Sequence, residues 1–113
     1  MSASPPPRRG DLVWLDFTPQ AGHEQAGRRP ALILSPESYN RKTGLALACP
    51  ITSQAKGYPF EVALPADRTV AGVVLSDHVR SIDWRARRAE RAGQADKATL
   101  SEVCGKLASL LNE

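Results

Sequence analysis

Apolar and polar positions along the first two thirds of the chain fall into short runs rather than long helical faces. "DLVWLDF" (11–17) places Leu12, Val13, Trp14, Leu15 and Phe17 on both sides of an extended backbone, so it predicts a strand covered on both faces. "ALILS" (31–35) and "GLALACPIT" (44–52) predict two more strands. Between them, "PESYNRKT" has Pro36 at a position suited to open a single helical turn. Pro50 has no backbone donor, which predicts an edge strand or a bulge there. "FEVAL" (60–64) alternates Phe60, Val62 and Leu64 with Glu61 and Ala63, the period of a half-exposed strand. "AGVVLSDHVRSI" (71–82) predicts one or two strands with a break at Ser76-Asp77, and "WRARRAE" (84–90) a further one.

Helical periodicity is strong at the C-terminus, where Leu100, Val103, Cys104, Leu107, Leu110 and Leu111 recur at spacings of three and four. Asp96 suits the N-cap of that helix. Gly105, in its interior, costs roughly 1 kcal/mol relative to alanine and suggests close packing. Short strands with frequent turn signals, closed by one helix, predict a mainly β chain folded as a small, strongly curved β-barrel, with one or two short helices besides the C-terminal one.

With 113 residues, the chain has room for one hydrophobic core. "SASPPPRR" is polar and polyproline-prone, so residues 1–9 are expected to form a flexible lead and residues 10–113 a single domain. No apolar stretch is long enough to span a bilayer, and the N-terminus lacks the apolar core of a secretory signal; the cytoplasm is the expected compartment. Cys49 and Cys104 each sit in an apolar segment and read as small buried hydrophobes. Trp14 and Trp84 read as core anchors.

The net charge of +3 says little, whereas its distribution says more. Five of the twelve residues 80–91 are arginine (Arg80, Arg85, Arg87, Arg88, Arg91), a cluster able to attract a polyanion and equally compatible with a solvated surface patch. "TPQAGHEQAGRRP" (18–30) is a long loop for so small a domain, and long loops tend to carry function. It holds Glu24 and ends on Arg29, which Pro30 biases toward an extended backbone at the entry of a strand. A guanidinium is a permanent cation with a planar fork of donors, suited to a phosphate gaining charge. Thr52, where a strand gives way to "SQAKGYP", supplies one directed hydroxyl.

Together, carboxylate, guanidinium and hydroxyl suit RNA cleavage without metal: a base takes the proton of a 2′-OH, whose oxygen attacks the adjacent phosphorus. Each residue alone is equally at home as a solvated charge, a surface ion pair or a turn-former. His23 and His78 lack ligand-spaced carboxylates, so neither a metal site nor any other cofactor is expected. No nucleophile elbow or phosphate-cradling glycine loop is present.

The order of "GDLVWLDF", "GHEQAGRRPALILSP", "YNRKTGLALACPIT", "KGYPFEVAL" and "HVRSIDWRAR" resembles the MazF/PemK family of toxin endoribonucleases, closest to its enterobacterial MazF branch. The resemblance implies an SH3-like β-barrel homodimer, the toxin of a type II toxin–antitoxin system. Such a toxin cuts single-stranded mRNA at short sequences, without metal, leaving a 2′,3′-cyclic phosphate and a 5′-hydroxyl. It implies catalytic roles for Arg29, Thr52 and Glu24, and an RNA groove near Phe17, Gln25, Arg28, Lys56, Tyr58, His78, Arg80, Arg85 and Arg87. The implied partner is a MazE-like antitoxin whose acidic, flexible C-terminal tail occupies that basic groove. Two rival expectations share the barrel: a gyrase-poisoning toxin of the CcdB type, and a non-catalytic RNA-binding protein.

Overall fold

The computed structural model describes residues 5–17, 27–66 and 69–112. Seven antiparallel strands and two helices follow in chain order. They are β1 (Asp11–Phe17), β2 (Gly27–Ile33), α1 (Glu37–Thr43), β3 (Leu45–Thr52), β4 (Glu61–Ala63), β5 (Val73–Leu75), β6 (Arg80–Asp83), β7 (Glu90–Gln94) and α2 (Lys97–Leu111), with a 3₁₀ turn, Ser76–His78, before β6. The sheet runs β4-β5-β3-β2-β1-β7, and β6 pairs with β3 beside β5. The mainly β fold with a C-terminal helix is as expected. Among the described residues the ladder is open between β4 and β7, so the sheet is curved but not a ring of hydrogen bonds.

Both faces of β1 are covered. Leu12, with half-buried Trp14, joins Leu32, Cys49, Ile51, Val74 and Val103 in one apolar cluster, onto which α2 packs Leu100, Cys104 and Leu107. Val13 and Leu15 join Ala31, Ile33, Ile82 and Trp84 in the other. The strand's unbroken apolar run therefore has a two-sided use, and each fully buried leucine contributes about 1.5–3 kcal/mol.

Several expectations needed correction. Strand β2 begins at Gly27 rather than Ala31, because Arg28, Arg29 and Pro30 continue the β1 ladder opposite Asp16, Leu15 and Trp14. Pro50 is not on an edge, since β3 is flanked on both sides. Leu45–Ala48 pair with β6 and Ile51–Thr52 with β5, and Pro50 lies at the changeover between them. A missing donor is tolerated where one neighbouring strand gives way to the next. Residues 84–88 form a turn, not a strand: the Asp83 carboxylate accepts from the Arg85 and Ala86 N–H groups at 3.2 and 3.0 Å, and the strand starts only at Glu90. Helix α1 runs for seven residues instead of a single turn, and Gly44, at φ 73°, closes it with its N–H on the Asn40 carbonyl.

Asp96 caps α2 as expected, its carboxylate accepting from the Thr99 N–H at 3.1 Å. Leu110 and Leu111 are exposed despite their spacing. Gly105 does not mark close packing, because a Cβ there would meet nothing within 4 Å. Gly105→Ala is accordingly expected to raise stability by about 0.5–1 kcal/mol, read as a higher denaturant midpoint at an unchanged slope.

Asn40 is fully buried and ties the chain's beginning to its far end. Its Nδ2 donates to the carbonyls of Pro7 (2.8 Å) and Ser35 (3.0 Å), its Oδ1 accepts from the Ser35 hydroxyl, and its own carbonyl accepts from the Trp84 indole at 2.9 Å. Residues 5–9 of the proline-rich lead thus include a buried, hydrogen-bonded Pro7. Asn40→Ala strands three buried partners and is expected to cost about 2–4 kcal/mol by urea denaturation.

Candidate active site

The site is built from the register of β2 on β3. Ala31 pairs with Pro50, Leu32 with Cys49 and Ile33 with Ala48. From the Ala31–Pro50 pair, Arg29 on β2 and Thr52, the last residue of β3, each lie two residues further along toward the same end of the strand pair. Accordingly, both line one open cleft of about 590 Å³, together with Trp14, Pro30, Ser53, Gln54 and Thr69. The Thr52 hydroxyl accepts from the Gln54 N–H at 3.1 Å, which leaves its own proton to be donated elsewhere.

Thr52 is held from behind by β5. It pairs with Val73, and Gly72, at φ 124°, lies so close that a Cβ would sit 2.2 Å from the Thr52 carbonyl oxygen. Gly72 was not singled out in the sequence; a glycine directly preceding the apolar pair Val73-Val74 was its available signal. Trp14 was read as a core anchor. Trp84 is one, with no exposed surface, but Trp14 is only half-buried and lines the cleft.

Arg28 answers why two arginines stand together. Its guanidinium donates to Asp16 Oδ1 at 2.6 Å, to the Trp14 carbonyl at 3.1 Å, to the Arg88 carbonyl at 2.7 Å and to Glu90 Oε1 at 3.4 Å. These bonds fasten β2 to β1 and to the turn before β7, where Arg88 takes φ 54°, an uncommon conformation for a side-chain-bearing residue. Arg85 stacks over the Trp84 ring at 4.9 Å, and Arg87 donates to the Asp16 carbonyl at 3.2 Å. Arg28 also lines a second cleft of about 670 Å³ with Arg85 and Arg88, so it stands between that cleft and the one holding Arg29.

The remaining sequence candidates are more dispersed. Glu24 and Gln25 lie outside the described residues, and Phe17 ends β1. Lys56 and Tyr58 are exposed on the loop before β4, where the Lys56 and Gly57 N–H groups bond the Glu61 carboxylate. His78 Nε2 is 3.8 Å from Asp77, and Arg80 stands opposite Ala48 at the far half of β3. None of Lys56, Tyr58, His78, Arg80, Arg85 or Arg87 lines the cleft of Arg29 and Thr52 within one chain.

Neither cysteine lines this cleft. Cys49 is buried, and its thiol is pushed up to about 12, first by burial and then by Cys104 and Asp77; a thiol that stays protonated is a poor nucleophile. Among the described residues, no three His, Cys, Asp or Glu side chains gather as a metal site, and no helix is long and apolar enough to cross a membrane.

Comparison with known proteins places this geometry among relatives. Residues 8–111 match the model of the PemK-like, MazF-like toxins of type II toxin–antitoxin systems. The chain is 50% identical over 105 residues to the endoribonuclease toxin MazF of Escherichia coli K12, covering 93% of this chain and 94% of that one. The crystal structure of a MazE–MazF complex from Deinococcus radiodurans superposes with a TM-score of 0.89 at 67% identity, covering 94% of this chain and 96% of the other. MazF alone from the same organism gives 0.87 at 66% identity, covering 96% and 98%.

Proposed function

Since the chain belongs to the PemK-like, MazF-like toxins of type II toxin–antitoxin systems, we propose that it is an endoribonuclease toxin whose cutting centre is the cleft shared by Arg29 and Thr52. The observation that carries this reading is that Arg29 of β2 and Thr52 of β3 line one open cleft. Its substrate is single-stranded RNA, chiefly mRNA in the cytoplasm, and cleavage at short sequences arrests translation and growth. The gyrase-poisoning and purely RNA-binding alternatives are not favoured, because the relatives named above are endoribonucleases.

The chemistry follows from the residue types. Glu24 takes the proton of the ribose 2′-OH, and the oxygen so freed attacks the neighbouring phosphorus. Negative charge grows on the phosphoryl oxygens, where the Arg29 fork provides two parallel donors. Thr52 orients the phosphate with its hydroxyl proton. The bond from phosphorus to the 5′-oxygen breaks as that oxygen takes a proton donated by Arg29, which regains one from water while Glu24 gives its own up, leaving a 2′,3′-cyclic phosphate and a 5′-hydroxyl. DNA has no 2′-OH and is not cut. No arginine base and no threonine acid enters this sequence of steps.

Arg85 and Arg87, joined to the cleft through Arg28, extend a positive surface for the flanking strand. Lys56, Tyr58, His78 and Arg80 are proposed as more distant contacts in a homodimer. A MazE-like antitoxin is the partner, its acidic tail competing with RNA for the basic surface; MazF of D. radiodurans crystallises with MazE. Incubating the purified chain with a long unstructured transcript in excess chelator tests the reading. Discrete cuts with cyclic phosphate termini are expected, and intact RNA overturns it.

A further inference from the structure

Of the two tryptophans, one is spent on the core and the other is not. Trp84 has no exposed surface and its indole is hydrogen-bonded to Asn40. Trp14 stands opposite Pro30 in the β1–β2 ladder, is half-buried against the apolar cluster, and lines the cleft that holds Arg29 and Thr52. Among the described residues it is the one aromatic side chain on that lining. The polar remainder of the lining is two guanidinium groups, hydroxyls and an amide, groups that hold sugar and phosphate, so Trp14 is its broadest flat surface.

We infer that Trp14 is a stacking platform for a base of the RNA strand next to the linkage being cut. This rests on the ribonuclease reading of the cleft and adds the means by which the strand is held at it. A single strand with its bases splayed keeps few of its own stacking contacts, and an aromatic ring replaces them. Pro30 opposite Trp14 in the ladder and the apolar cluster it packs against limit the rotamers open to the indole, so little freedom is lost when a base lands on it. Stacking is tolerant of base identity, so Trp14 sets how tightly the strand seats rather than which sequence is chosen.

Two measurements test this on the full-length protein. In the first, a short single-stranded deoxyribonucleotide of mixed sequence, which lacks the attacking hydroxyl, is titrated while tryptophan emission is followed. The expected quench is present in the wild type and absent in Trp14→Phe, whose remaining indole is the buried Trp84. In the second, cleavage kinetics are compared for wild type, Trp14→Phe and Trp14→Leu on a short RNA spanning a mapped cut site, intact and with single bases removed in turn. Trp14→Leu is expected to raise KM by about 5- to 150-fold with kcat nearly unchanged at a temperature where it stays folded, and Trp14→Phe to recover most of the loss. One abasic position is expected to weaken the wild type by a similar factor and Trp14→Leu hardly at all, the non-additivity of a direct contact. A wild-type KM in Trp14→Leu, additive losses at every abasic position, or a quench that persists in Trp14→Phe overturns the platform while leaving the ribonuclease reading intact. If the wild type cuts no RNA, the ribonuclease reading fails and the emission titration alone decides whether Trp14 meets a strand.

Discussion

Arg29→Ala is expected to slow single-turnover RNA cleavage by about 10²- to 10³-fold, the usual loss when one donor to a developing charge is removed. The residue is exposed at the open end of β2, so the thermal midpoint should move little, within the range of about ±0.5 kcal/mol typical of surface substitutions. Arg29→Lys should recover only a small part of the rate, because an ammonium keeps the charge and loses the paired donors. Gel-resolved cleavage under single-turnover conditions, with melting curves of the same preparations, checks both halves. Cleavage of Arg29→Ala within threefold of wild type would remove Arg29 from the chemistry.

Gly72→Ala is expected to be the most destabilising of the substitutions considered, by about 3 kcal/mol or more. Two causes act together. The φ of 124° lies where a side-chain-bearing residue is strained, and the added Cβ would sit 2.2 Å from the Thr52 carbonyl oxygen and 2.9 Å from its carbon. Both contacts are backbone, which cannot rotate away, so β5 must part from β3 where Val73 pairs with Thr52. Urea denaturation should show a lower midpoint, and the fraction that still folds should cut more slowly than its concentration explains, because Thr52 has moved relative to Arg29. A wild-type midpoint would show that β5 yields at no cost.

Where the chain carries its own periodicity, the fold was legible. Strands β1 and β3, the break at Ser76-Asp77 and the capped C-terminal helix follow from local apolar spacing and from one aspartate at the right place. Strand β7 was missed because "ERAGQ" has neither alternation nor an apolar run; it is a strand by virtue of pairing with Asp11–Trp14. Pro50 misled for a related reason: the penalty for a missing donor depends on which strand lies alongside, and that is a property of the assembled sheet. At the site, Arg29 and Thr52 were named as candidates from residue type and family resemblance, but their place on one cleft depends on a register that pairs strands 19 residues apart, at Ala31 and Pro50. Arg28, placed near the RNA groove by family resemblance, could not be seen to have four partners, because these come from β1 and from residues 88 and 90. Trp14 carries no local mark of the cleft it lines, and Gly72 only the apolar pair that follows it, because both places depend on what stands opposite them.

The wall of the cleft is completed late in the chain. Thr69, Val70 and Ala71 line it, and Thr52 is braced by Gly72 and Val73. A polypeptide still being synthesised, with Arg29 and Thr52 already outside the ribosome, has no such wall until these later residues emerge and pair. For an endoribonuclease toxin, this ordering delays assembly of the cleft until the second half of its own chain has been made.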